Sequence, residues 1–234
     1  MGMILTSGNF FADSTLEANR WKRQLVVGAP GALVGIATVL TNTGSVGVPA
    51  ATSTSSSGSS FTTGNVSGNS SGQLFDAIHS VNHNLRAVWQ ITVSSTTLCR
   101  YQLGYCNTTV ANMVAGDTPA FSYTGFRFST AVPDTNWQCL TDNGSGTPTV
   151  KDSGVAVAAG EYVLGILYDS VAGAANFFIN RQSSVALTPK LVAITTTTLP
   201  AVATLMSQFA GIATLENVAK TFNVHFMNSR SRIL

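Results

Sequence analysis

The feature that most constrains this chain is a two-residue alternation of apolar and polar side chains, repeated in short segments. In Arg86 to Val93 (RAVWQITV), Ala87, Trp89, Ile91 and Val93 share one face, while Arg86, Val88, Gln90 and Thr92 share the other. Leu98 to Tyr105 sets Cys99, Tyr101, Leu103 and Tyr105 against Arg100 and Gln102. Glu161 to Tyr168 gathers Tyr162, Leu164, Ile166 and Tyr168 on one side, and Thr221 to Met227 turns Phe222, Val224 and Phe226 inward with Asn223 and His225 outward. Phe121 to Phe128 (FSYTGFRF) alternates and then slips at Gly125, which predicts a bulge. Successive strand side chains point to opposite faces, so each segment makes a strand with one buried face. Such strands, separated by Gly, Asn and Asp clusters, predict an all-β fold: a two-sheet antiparallel jelly-roll sandwich. One segment departs from the pattern. Pro200 to Ala213 holds Val202, Leu205, Met206, Phe209 and Ile212 at helical spacing, behind a proline suited to a first helical position, and reads as a short helix or an irregular crossover.

Length sets the scale of that sandwich. With 234 residues and 24.4 kDa, the chain leaves roughly 10,000 Å² exposed on folding, against about 35,000 Å² unfolded. It can bury a large core without staples. We read residues 1–25 as an N-terminal arm and residues 26–234 as the jelly-roll domain, with a long Ser/Thr/Gly-rich loop at 50–72 (TSTSSSGSS, then GNVSGNSSG).

Charge then removes several functions. Charged residues are 9% of the chain, where about 25% is usual. Twelve cations against ten anions cannot build a phosphate-neutralising stripe, so no nucleic acid is expected as a partner. The apolar stretch Leu25 to Leu40 is too short and too broken by Gly28, Pro30, Gly31 and Gly35 to span a bilayer, so no membrane is expected either. Hydroxyls take the place of charge: 25 Ser and 29 Thr, with 16 Asn. A polar but nearly uncharged surface suits burial against copies of itself or other proteins.

The search for chemistry finds no engine. A glycosidase needs two carboxylates about 5–9.5 Å apart. Glu17, Glu161 and Glu216 are isolated, Asp134 and Asp142 read as turn residues, and no catalytic residue is assigned. The GNSSG at Gly68 to Gly72 matches a nucleophile elbow in letters only, since no strand is expected ahead of it. His79 and His83 could chelate a metal only on a helix, and no thiolate or carboxylate completes a site. Asp134, Asn136, Asp142 and Asn143 are the nearest approach to a calcium set, and no metal or cofactor is expected. Cys99, Cys106 and Cys139 form no CxxC and read as small buried residues, although Cys99 and Cys106 could pair across a turn. Trp137 and Cys139 share a face of NWQCL, as core residues would, but Trp137 and Tyr123 could also line a sugar-binding groove with Asp142 and Asn143.

From Phe121 to Asn180 the order of strands is distinctive. YTGFRFST is followed by DTNWQCLTDNGSGTPTVKDSGVAV, GEYVLGILY and ANFFIN, with TTTTLPAVATLM and FNVHFMNSRS downstream. This order resembles the concanavalin-like jelly-roll domains of tailed-bacteriophage virion proteins, including capsid-decorating or cement proteins and tail-fibre-like proteins, over about 110–150 residues. The resemblance implies a non-enzymatic virion structural protein, self-associating (a trimer being favoured) and contacting other virion proteins such as the major capsid protein. It implies assembly in the host bacterial cytoplasm, in keeping with unpaired thiols. The cationic arm (Arg20, Trp21, Lys22, Arg23) and the basic C-terminus (Arg230, Arg232) are then the expected partner contacts. The alternative is a tail-fibre-like module that recognises host surface glycans through Tyr123, Trp137, Asp142 and Asn143.

Overall fold

The computed structural model describes residues 24–28, 33–34, 51–80, 84–181 and 190–232, and the arm residues Arg20, Trp21, Lys22 and Arg23 lie outside them. Fourteen strands are described, and every pairing between them is antiparallel. One sheet, here sheet I, comprises β1 (Gln24–Gly28), β4 (Ser70–Ser80), β13 (Leu205–Thr214), β6 (Cys99–Cys106), β7 (Ser122–Ser129), β8 (Asn136–Asn143) and β9 (Thr149–Ala156), in that spatial order. Sheet II runs β12 (Lys190–Thr195), β11 (Ala174–Arg181), β10 (Gly160–Asp169), β5 (Arg86–Val93), β14 (Thr221–Arg232), β3 (Ala51–Thr62) and β2 (Leu33–Val34). One short helix, α1 (Val110–Val114), is capped by the Thr109 hydroxyl, which accepts from Asn112 N. The architecture is the expected two-sheet sandwich.

The inward faces of β5, β6 and β10 are those the alternation assigns, whereas in β14 a register shift after Val224 sets Met227, and not Phe226, opposite Trp89 and in the core. Ala87, Trp89, Ile91 and Val93 of β5 meet Tyr101, Leu103 and Tyr105 of β6 and Trp137 and Cys139 of β8 in one inter-sheet core. Aromatic rings tie the layers together: Trp137 stands edge-on to Tyr101, Phe128 and Tyr162, with centroids 6.4, 6.4 and 5.8 Å away. Three hydrogen bonds cross between the sheets beside the register shift of β13 against β4 at Ser207/Phe209. Trp89 Nε1 donates to Phe209 O at 3.1 Å, and Gln208 Nε2 donates to Asn228 O at 3.0 Å and to Val88 O at 3.4 Å.

Three other expectations change. Leu205–Thr214 is a strand, not a helix: Met206, Ala210 and Ile212 face the inter-sheet core, while Phe209 and Ala213 on the opposite face pack under α1. Burial of both faces places apolar residues at even and odd positions alike and so imitates helical spacing. The region 50–72 is not a long loop either. Ala51–Thr62 and Ser70–Ser80 are strands, and β3 pairs with β14 along its length, because Ser and Thr hydroxyls are as compatible with a solvated sheet as with a loop. Finally, β7 runs in unbroken register with β6 and β8 past Gly125. Gly125 lies opposite Gly104, and a side chain on either would strike the other strand's backbone.

Candidate functional site

The outer face of sheet I is where the structure concentrates polar side chains. Arg100 and Gln102 of β6, Tyr123 and Arg127 of β7, and Gln138 and Asp142 of β8 all point away from the inter-sheet core, yet all are buried. The segment 107–121, including α1, lies over them. Arg100 grips Asp117 through both carboxylate oxygens (2.7 and 2.9 Å) and donates to Val114 O at 2.8 Å. Arg127 grips Asp134 in the same way (2.9 and 3.1 Å) and donates to Asp117 O at 2.9 Å. Gln102 Nε2 donates to Gly116 O at 2.8 Å. These paired, charge-assisted bonds fix the covering segment in place. Burial works against the Asp117 carboxylate, but hydrogen bonds from Arg100 and Ser129 and the charges of Arg100 and Arg127 outweigh it, so its pKa lies below the usual 3.8.

Two of the four expected glycan contacts do meet here. Tyr123 and Asp142 are direct partners across β7 and β8, and Ser122 stands opposite Asn143. The groove they were to line is absent at that place. Tyr123 is 3% exposed, packed with Met113, Val114, Leu140 and Phe209 beneath α1. Burial, and then the Asp142 charge, push its phenol pKa upward. Asp142 is fully buried, and its Oδ1 caps the following turn, accepting from Gly144 N at 2.7 Å and Ser145 N at 2.8 Å. Trp137 points the opposite way, into the inter-sheet core, at 0% exposure. A ring enclosed on both faces cannot stack on a sugar, so the set Tyr123, Trp137, Asp142 and Asn143 is corrected: only Asn143 reaches the surface. Arg230 and Arg232 lie on β14, and the description stops at their backbone.

The remaining carboxylates are dispersed among structural duties. Asp152 accepts from Asn136 Nδ2 and from Gly154 N, and Asp169 caps the turn at Val171 and Ala172. Glu216 pairs with Lys220. Glu161 is exposed on the other sheet, opposite Thr92. Among the described residues no group of three or more His, Cys, Asp or Glu could hold a metal ion. The cysteines are free and buried. Cys99 and Cys106 stand at opposite ends of β6 and so do not pair. Burial raises the Cys99 thiol to about 11 and the Cys106 thiol to about 12, so neither is a nucleophile near neutral pH. Gly68 lies in a turn and Ser70–Gly72 begin β4, which is no nucleophile elbow.

Sequence reasoning did not foresee two surfaces. The outer face of sheet II carries amides and hydroxyls: Asn176 and Asn180 flank the half-buried Phe178 on β11, with Gln90 and Thr92 on β5 and Asn223 and His225 on β14. Phe178 lies opposite Gly165, and Thr92 Oγ1 is 2.6 Å from His225 Nε2. The second surface is one end of the sandwich, where four connecting loops expose Val66, Leu98, Val132 and Val218. Alternation within strands says nothing about loop residues.

No family model matches the chain, and no curated protein matches it in sequence. Solved structures match its fold. A protein of unknown function from Shewanella oneidensis MR-1 is 9% identical, with a TM-score of 0.56 over 95% of this chain and 84% of that one. The exoplasmic/lumenal domain of VIP36, in its Ca2+/Man3GlcNAc-bound form, is 11% identical, with a TM-score of 0.53 over 77% of this chain and 83% of that one. A glycosyl hydrolase family 16 protein from Mycobacterium smegmatis str. MC2 155 is 10% identical, with a TM-score of 0.50 over 74% of each chain. The chain thus has the concanavalin-like jelly-roll fold. Binding proteins and hydrolases share that fold, so it does not decide between them.

Proposed function

We propose that this chain is a non-enzymatic structural protein of a bacteriophage virion, working by packing against other protein subunits on the capsid or in the tail. The observation that carries the non-enzymatic part is the fate of the acidic side chains. Asp117 and Asp134 are spent on arginines, Asp142, Asp152 and Asp169 on turns, and Glu216 on Lys220. Hydrolysis of a glycosidic bond needs two carboxylates facing one substrate, and among the acids whose side chains are described Glu161 alone has no such duty. The virion setting rests on the resemblance in strand order. An uncharged, hydroxyl-rich exterior supports the packing role, because desolvating it on contact with a neighbour costs little compared with desolvating ions. Many weak contacts then sum by avidity. The test is to purify particles, identify the chain in them by mass spectrometry and locate it by imaging. Regular density on the shell or tail supports the reading, and absence from particles ends it.

A second reading, glycan recognition, is favoured by the outer face of sheet II. Phe178 between Asn176 and Asn180 offers a partly exposed ring flanked by amides, the pairing that sugar faces and hydroxyls use. A glycan array probes it: specific binding abolished by Phe178→Ala, with the fold intact, would favour this reading over the first.

A further inference from the structure

Of the chain's 16 asparagines, Asn143 is the one followed by glycine. It is also the expected glycan contact that the fold leaves at the surface. An Asn-Gly step is a latent reaction centre. The backbone nitrogen after an asparagine can attack the side-chain amide carbon and close a succinimide ring. A side chain on the following residue hinders that approach, and glycine has none. The reaction also needs a base for the N–H proton, a donor for the amide oxygen as it gains charge, and access for water.

The turn after β8 supplies all of these. Gly144 N, the attacking atom, donates to Asp142 Oδ1 at 2.7 Å, so a carboxylate already holds the proton that must leave. The other oxygen, Asp142 Oδ2, is buried without a hydrogen-bond partner. Ser145 N donates to Asn143 Oδ1 at 3.2 Å. That bond polarises the amide under attack, aims a donor at the developing oxyanion, and folds the Asn143 side chain forward over the Gly144 peptide. The fully buried Asp142 keeps these groups in place, because its Oδ1 also accepts from Ser145 N at 2.8 Å and Ser145 Oγ at 3.2 Å. Asn143, Gly144 and Ser145 are exposed, so ammonia can leave and water can enter. Asn69 offers a contrast: Ser70 after it carries a side chain and is held in the β4 ladder opposite Ala213.

We propose that Asn143 is a self-modifying site, which deamidates through a succinimide with Asp142 as the base. The bond from Gly144 N to Asn143 Cγ forms as Asp142 takes the N–H proton. The bond from Cγ to Nδ2 then breaks, and the amine leaves as ammonia with that proton. Water opens the ring at either carbonyl. Attack at Cγ frees Gly144 N from the side chain and leaves aspartate in a normal chain. Attack at the main-chain carbonyl leaves isoaspartate, with the chain rerouted through the side chain. Either product adds a negative charge to a surface that has few, and isoaspartate lengthens the main chain at the end of β8. Each copy of the protein thus records its age as an irreversible change of surface charge. The inference does not depend on the packing role proposed above.

The test is peptide mapping by mass spectrometry on the full chain, incubated at neutral pH and physiological temperature in water enriched in heavy oxygen. Asn143 converts ahead of Asn69, takes up heavy oxygen, and yields isoaspartate together with aspartate. Asp142→Asn keeps an acceptor for the turn but removes the base, so conversion slows at least about tenfold. The wild type in urea loses the held base as well and slows by a similar factor, and this comparison decides the matter if the variant fails to fold. An Asn143 that keeps its amide in the folded chain, or converts no faster than Asn69, overturns the proposal. So does a product without isoaspartate, a folded Asp142→Asn variant that converts as fast as the wild type, or a wild type that converts faster in urea than when folded.

Discussion

Two tryptophans share the inter-sheet core, and only one of them has a hydrogen bond. Both are 0% exposed. Trp89 Nε1 donates to Phe209 O across the sandwich, whereas Trp137 Nε1 has no hydrogen-bond partner. Replacing each in turn by Phe removes the same atoms from the same core, so the cavity contribution is similar in both variants. What differs is the polar part. Trp89→Phe forfeits a buried bond worth about 0.5–1.5 kcal/mol net, whereas Trp137→Phe discards a buried donor whose desolvation costs about 1–3 kcal/mol. Trp89→Phe should therefore be the less stable variant by about 1.5–4.5 kcal/mol. For a chain of this length that separates the melting temperatures by roughly 3–18 °C. Urea titrations followed by far-ultraviolet circular dichroism read the difference directly, and equal slopes in the two variants would show that the unfolded states are comparable. If Trp137→Phe is as destabilising as Trp89→Phe, or more so, the assignment of these two side chains to bonded and unbonded positions is wrong.

Other predictions follow from the same bonds. Because Asp117 has a lowered folded pKa, its stabilisation is complete above its unfolded value of 3.8 and is lost as pH falls through the folded value, so melting temperature should drop on acidification below about pH 4 and drop less in Asp117→Asn. The thiols run the other way. Cys99, raised from 9.0 to about 11, favours the fold fully below pH 9 and ceases to do so as pH climbs through about 11, so stability declines in that window and a thiol reagent at pH 8 labels the unfolded chain but not the native one. Gly211→Ala would place a methyl 2.5 Å from a Val110 methyl and 3.0 Å from a Val114 methyl, lifting α1 off β13, with a loss of about 1–3 kcal/mol in thermal or urea unfolding.

Much of this molecule is legible in its residues, and the misreadings have physical causes. Where a strand buries one face, as β5 and β10 largely do, alternation names the core directly, and the pairing of Trp137 with Cys139 on one face already placed the indole inside. Where both faces are buried the signal fails. Phe209 and Tyr123 lie outside the inter-sheet core but under α1, so β13 imitates a helix and β7 imitates a bulge. Hydroxyl-rich strands fail for another reason: the Ser and Thr of β3 have no apolar contrast to display. Surface properties were hardest to see. The exposure of Leu98 depends on its backbone conformation, and the pairing of the loop ions depends on which of them meet in space.

Amide hydrogen exchange, followed by mass spectrometry on dilute and concentrated chain and on chain with a mixture of oligosaccharides, tests the central claim most directly. A packing module should gain protection with concentration, and gain none from sugars. Protection induced by oligosaccharide on the outer face of sheet II, with exchange unchanged at every concentration, would contradict it.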